Sequence, residues 1–155
     1  MPASEPVVYG AIVQELWVAA RHGQELARRE LEAARVDPDE YGFLSFIGTL
    51  QPVTRTTLAA ATGLRRTTLR DAIGRLLERG HVEERPNPRD GRSRLLVLTR
   101  DGQDVFDRGR PALLQVLVAL DAELDGRIQE HEEAVRRVRV ALQKLTEGRS
   151  LEVPP

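Results

Sequence analysis

Apolar residues recur at helical spacing along most of this chain. Ile12, Leu16, Ala19, Gly23 and Leu26 stand three and four residues apart, which predicts a helix over 7–34 with one continuous stripe. Val36-Asp37-Pro38 interrupts it; Asp37 suits an N-cap and Pro38 the first helical position. A second helix follows over 38–50, carrying Tyr41, Leu44, Phe46 and Ile47, and Gln51-Pro52-Val53 breaks it. A short helix over about 56–62, capped by Thr54 or Thr56, turns Leu58 and Ala59 inward. Beyond a turn at Gly63-Leu64, a longer helix over 65–79 gathers Leu69, Ile73, Leu76 and Leu77 on one face, opposite Arg66, Thr67, Arg70 and Asp71. Gly80 is suited to end it in the left-handed conformation.

From His81 the pattern changes. His81–Arg85 and Ser93–Thr99 read as paired strands joined by Pro86-Asn87-Pro88-Arg89-Asp90-Gly91-Arg92, a loop of turn residues. Thr99 caps a long helix over 100–124, with a kink expected between Gly109 and Pro111. The last helix, 128–147, sets Ile128, Val135 and Leu142 seven apart, with Val138 and Leu145 on the neighbouring row. That coiled-coil-like seam is under three heptads long, so it needs a partner surface. Residues 148–155 read as a disordered tail. Two helices across a tight turn, then a hairpin, is the layout of a winged helix-turn-helix: the second helix can enter a major groove and the hairpin tip an adjacent groove. The expected fold is mainly α with a small β-hairpin wing, a single unit over 1–155 in which 38–99 form the winged part.

Charge sharpens this reading. The whole chain carries 23 basic and 24 acidic residues, a net of −1. Residues 65–94, however, hold nine arginines against five acidic residues. A duplex rewards a local cationic face and is indifferent to acidic surface beyond a Debye length of roughly 10 Å. The absence of cysteine removes disulfides, thiolate zinc sites and thiol redox sensing. His22, His81 and His131 have no neighbours at metal-ligand spacing, so no metal or other cofactor is expected, and His131 reads as a seam-edge residue. No nucleophile motif or glycine-rich phosphate loop points to an enzyme. Met1–Pro6 lacks the basic and apolar regions of a signal peptide, and the apolar run Pro111–Leu120 is short of the roughly 20 residues that span a bilayer, so a cytoplasmic location is expected.

The wing carries the most specific motif. Asp90-Gly91-Arg92, then Leu96, Leu98, Thr99 and Gly102, fits D-x-R-x-x-x-L-x-L-T-x-x-G, the pattern of the MarR family of bacterial transcription regulators. Leu58-Ala59, Gly63-Leu64, Thr67-Thr68, Arg75-Leu76, Gly80 and Val82 also match, and the chain resembles that family over about residues 8–146. The resemblance implies a homodimer held by the first and the last two helices (7–34 and 100–147), bound to a pseudo-palindromic operator in double-stranded DNA. It implies that Arg92 reaches the minor groove, steadied by Asp90. Two positions depart from the pattern: Arg65 stands where a small capping residue is usual, with Thr67 or Thr68 left to compensate in part, and Arg70-Asp71 where Thr-Arg is more common.

The expected DNA-contacting residues are Arg65, Arg66, Thr67, Thr68, Arg70, Arg75, Arg89, Asp90, Arg92 and Arg94. Arginine binds guanine bidentately, threonine touches phosphate or a thymine methyl, and a narrow minor groove favours an inserted guanidinium. Trp17, His22, Tyr41 and Phe46 flank the first two helices, where the resemblance implies a pocket for a small organic effector. The dimer seam is expected from Ile12, Leu16, Ile128, Val135, Val138, Leu142 and Leu145. The function expected is that of a dimeric, sequence-specific repressor. The alternative is a winged-helix protein-interaction module without specific DNA binding.

Overall fold

The computed structural model describes residues 11–147. The elements run α1 (Ala11–Ala33), α2 (Pro38–Leu50), β1 (Val53–Thr54), α3 (Arg55–Thr62), α4 (Arg66–Glu78), β2 (Val82–Pro86), β3 (Arg94–Leu98), α5 (Arg100–Glu123) and α6 (Ile128–Glu147). The expected start of the first helix at 7–10 and the expected tail lie outside the described residues.

Local chemistry sets most boundaries. Asp37 caps α2, its Oδ1 accepting from the N–H groups of Asp39 at 3.0 Å and Glu40 at 3.4 Å, with Pro38 in the first turn. Thr54 rather than Thr56 caps α3, its hydroxyl accepting from Thr57 N–H at 3.1 Å. Thr99 caps α5 through Gly102 N–H at 3.1 Å. Gly63 and Gly80 sit at φ 67° and 71°, the left-handed region that glycine enters without strain, and they end α3 and the α4 junction.

The sheet has order β1-β3-β2, all antiparallel, with Val53 opposite Leu96 and Val82 opposite Leu98. A third strand was not expected; Gln51-Pro52-Val53 reads as a simple break, yet Val53 and Thr54 pair with the wing. Just before β1 begins, the side chain of Gln51 serves in its place, its Oε1 accepting from Leu98 N–H at 2.8 Å.

The core lies under this sheet. Tyr41, Leu44 and Ile47 of α2, Leu58 of α3, Leu69, Ile73 and Leu76 of α4, and Val53, Val82 and Leu96 of the strands are all buried. Leu77 is only partly buried, and Ala72 joins the buried face of α4 in its stead. Burying each of these large side chains contributes about 1.5–3 kcal/mol. Tyr41 packs on the ring of Phe106, centroids 6.3 Å apart, and donates its hydroxyl to the Phe106 carbonyl at 3.0 Å. The α5 helix runs unbroken through Pro111.

The long helices are different. The stripe of α1 from Ile12 to Leu26 does not reach the core; only Leu31 of that helix is buried. No residue of α6 is buried. Leu114, Leu117, Val118 and Leu120 of α5 are exposed as well.

Candidate nucleic-acid interface

The N-terminal half of α4 presents a row of solvent-facing groups: Arg65, Arg66, Thr67, Thr68, Arg70 and Asp71 are all exposed, while Leu69 anchors the turn to the core. Arg65 occupies the N-cap position and gives no side-chain cap; neither Thr67 nor Thr68 supplies one. The first bond of the helix is Leu69 N–H to the Arg65 carbonyl at 3.0 Å, so the N–H groups of residues 66–68 point out of the helix end unpaired within it. An uncapped helix start flanked by arginines favours an anion.

The wing tip is organised by its own side chains. Asp90 Oδ1 accepts from Arg92 N–H at 3.0 Å, and the Asp90 carbonyl accepts from Ser93 N–H at 3.1 Å. Asn87 Oδ1 accepts from Arg89 N–H at 3.0 Å, while its amide donates to the Ser93 hydroxyl at 2.7 Å. Such short-range side-chain to backbone bonds build tight turns. Arg89, Asp90, Arg92 and Arg94 are exposed. The root of the wing is tied to α3 by Arg55 and Glu84 at 2.8 Å. Sequence reading missed Asn87 and Arg55; an asparagine before a proline reads as turn composition, and the Arg55–Glu84 pair spans 29 residues with no local pattern.

The arginines of this region are not equivalent. Arg70 lies 3.6 Å from Asp71, Arg85 pairs with Glu83 at 2.6 Å, and Arg79 pairs with Asp37 and Glu40. Arg75, at the far end of α4, borders a hollow shared with Asp37, Asp39 and Glu40, so it stands apart from the helix N-terminus. Arg65, Arg66, Arg89, Arg92 and Arg94 have no ion-pair partner among the described residues, which leaves their charge available.

A cleft of about 1050 Å³ opens between α1, α2 and α5, bordered by Arg21, His22, Arg28, Asp39, Tyr41 and Leu113. Of the aromatic candidates, His22 and Tyr41 border it; Trp17 and Phe46 do not. Burial, with Asp107 nearby, pushes the Tyr41 phenol above its ordinary pKa, so it stays a neutral donor to Phe106. Trp17 is exposed and lies under the Arg21 guanidinium, 5.2 Å from the ring centroid.

The seam candidates lie on open helix faces. Ile12, Val135, Leu142 and Leu145 are exposed, and Leu16, Ile128 and Val138 are half-buried. No helix among the described residues is long and apolar enough to cross a membrane.

The family model described as MarR family matches residues 36–93. Among solved structures, a MarR-family transcriptional regulator from Listeria monocytogenes complexed with 26mer DNA is 18% identical, covers 91% of this chain and 97% of its own, and superposes with a TM-score of 0.72. A mutant MarR from E. coli complexed with operator DNA is 19% identical, with 84% and 97% covered and a TM-score of 0.69. A MarR transcriptional regulator from Methanosarcina mazei is 18% identical, with 88% and 96% covered and a TM-score of 0.65. At these identities the likeness is one of fold. No curated protein matches the chain.

Proposed function

We propose that this chain, whose residues 36–93 match the MarR family model and whose fold is like that of solved MarR winged-helix proteins, is a dimeric, sequence-specific DNA-binding transcription regulator of that family. In this reading it is a cytoplasmic repressor, released by a small organic molecule. The observation that carries the reading is the set of exposed arginines without ion-pair partners at the start of α4 and at the wing tip, on a fold that relatives solved with DNA share. The unpaired N–H groups of residues 66–68 suit a phosphate, Arg66, Thr67 and Arg70 suit base edges or phosphate, and Arg92 suits the minor groove.

The exposed apolar stripes support a dimer. Ile12 and Trp17 of α1, Leu117 and Val118 of α5, and Val135 and Leu145 of α6 are all more than half exposed, an arrangement monomers rarely tolerate. Two-fold pairing of these helices covers them and sets two recognition helices about 34–36 Å apart, one turn of B-DNA. The cleft beside Arg21, His22 and Arg28 is the candidate effector site; its size and mixed lining suit a small organic molecule.

The Arg70–Asp71 proximity favours the second reading, an interaction module that has lost specific readout. Gel-shift binding to a palindrome in the chain's own promoter separates the two. The proposed regulator gives a retarded complex resisted by excess random duplex, and Val138→Glu with Leu142→Glu abolishes dimer and complex together. A wild type that is monomeric at micromolar concentration, or that binds random duplex equally well, contradicts the proposal.

A further inference from the structure

A cluster of charged groups away from the exposed arginines joins α2, α4 and the wing. Glu40, in the first turn of α2, keeps only 9% of its side chain exposed. Its Oε2 accepts from the Arg79 guanidinium and its Oε1 is bonded to Nδ1 of His81. Arg79 also donates to Asp37 Oδ2 at 3.2 Å, while the other oxygen of Asp37 caps α2. The two Glu40 contacts fall on either side of Gly80, at φ 71°, where α4 ends and the chain turns into β2.

That placement has a mechanical consequence. The apolar face of α4 holds the helix against the core, but the hydrophobic effect itself is non-directional. Charge-assisted hydrogen bonds are directional. Gly80, at φ 71°, makes the sharp turn between helix and hairpin, with nothing within 4 Å of where a Cβ would stand. Backbone bonds from Gly80 N–H to the Leu77 carbonyl and from His81 N–H to the Leu76 carbonyl, both at 3.0 Å, close the turn, so what a clamp must still fix is the tilt of this helix end and hairpin root against α2. The His81 backbone is already seated on α5: its carbonyl accepts from Thr99 N–H at 3.1 Å, and the Thr99 hydroxyl donates to the Gly80 carbonyl at 2.6 Å. Glu40 adds the link to α2.

We propose that Glu40 is a positioning residue for DNA recognition. It touches no DNA; one carboxylate sets the angle of the recognition helix through Arg79 and of the wing through His81. This rests on the dimeric DNA-binding reading above. In a two-fold dimer a tilt of α4 acts in both subunits, so the property it controls is the spacing accepted between half-sites rather than the bases read within each.

Selection of duplexes from a random-sequence library tests this, using full-length wild type, Glu40→Ala and Glu40→Gln, each first checked for wild-type helicity and dimer. Wild type is expected to enrich inverted half-sites at one spacing. Glu40→Ala is expected to enrich the same half-site with spacings spread over adjacent registers. It should bind the wild-type duplex at least about tenfold more weakly, as follows when the fraction of dimers holding both helices at the matching angle falls to about a tenth. Its salt slope should match wild type, because no phosphate contact is lost. Glu40→Gln, which keeps an acceptor, falls between. If Glu40→Ala does not fold, Glu40→Gln and His81→Ala carry the test, the latter expected to loosen the spacing through the wing alone. A merely stabilising role lowers the melting temperature and leaves one spacing; that result in the folded variants overturns the proposal. A wild type that enriches no palindrome overturns the regulator reading, and this proposal with it.

Discussion

Asp90 holds Arg92 by its backbone: the carboxylate accepts the Arg92 N–H at 3.0 Å, while the Arg92 guanidinium has no ion-pair partner among the described residues. The resemblance implies a carboxylate that steadies the arginine; the bond Asp90 makes is to the Arg92 backbone, which shapes the turn and leaves the side-chain charge free. Asp90→Asn keeps the accepting oxygen and should retain DNA affinity, whereas Asp90→Ala should lose it. Arg92→Ala should cost roughly 1–3 kcal/mol per half-site with no loss of helicity. Fluorescence anisotropy on a labelled duplex reads all three. An Asp90→Asn variant as weak as Asp90→Ala would show that the charge, not the turn, matters.

Arg65 trades stability for charge. It stands at an N-cap without capping, where serine typically adds about 0.5–2 kcal/mol. Arg65→Ser should therefore raise the denaturation midpoint and at the same time weaken DNA binding, since it removes a cation and engages an N–H otherwise open to phosphate. Opposite signs in the two measurements are the diagnostic. A variant that gains in both would remove Arg65 from the DNA-binding surface.

Gly102 marks a close approach that no side chain can share. A Cβ there would lie 1.8 Å from the His81 carbonyl oxygen, part of the backbone that seats the wing on α5. Gly102→Ala should destabilise by more than the 1–3 kcal/mol typical of overpacking against a movable side chain. Gly74, inside α4 with nothing within 4 Å, is the control: Gly74→Ala should stabilise by about 0.5–1 kcal/mol. Urea denaturation of the pair checks both signs.

Much of this was readable from the chain because it is local. The caps at Asp37 and Thr99, the glycine stops at Gly63 and Gly80, and the turn residues of the wing all act over short stretches of chain, at most the six residues from Asn87 to Ser93. What escaped reading is non-local. The strand at Val53 is too short to show alternation, and exists because Leu95 and Leu96 offer it a ladder. The Glu40–Arg79–His81 cluster closes over about forty residues of chain. The stripe from Ile12 to Leu26 has core periodicity, but most of it stays open in the single chain; periodicity shows that a face is apolar and not what covers it. Tyr41 read as a ligand candidate, and although it borders the cleft its hydroxyl is committed to Phe106.

Acid should loosen the end of α4 through Asp37. Burial opposes its charged form, but Arg79 and the N–H groups of Glu40 and Asp39 outweigh that and hold its pKa below the ordinary 3.8. A carboxylate depressed on folding adds stability that is complete above the unfolded pKa and is lost as pH falls through the folded one. Asp37 is half-exposed, so the contribution is modest. Asp37→Asn keeps the cap and removes the charge. It should melt below wild type at neutral pH, and the gap should close as pH falls below 3.8. A gap that persists in acid would assign the loss to packing.

The salt dependence of binding is the most direct measure of a duplex held by these arginines. With about four phosphate contacts per subunit, log K against log salt concentration should fall with a slope on the order of −7 for the dimer. Arg89→Ala should flatten that slope by about one contact per subunit without changing which sequence is preferred. A slope shallower than about −2, or one unmoved by removing Arg66, Arg89 and Arg92 together, would contradict DNA binding through this surface.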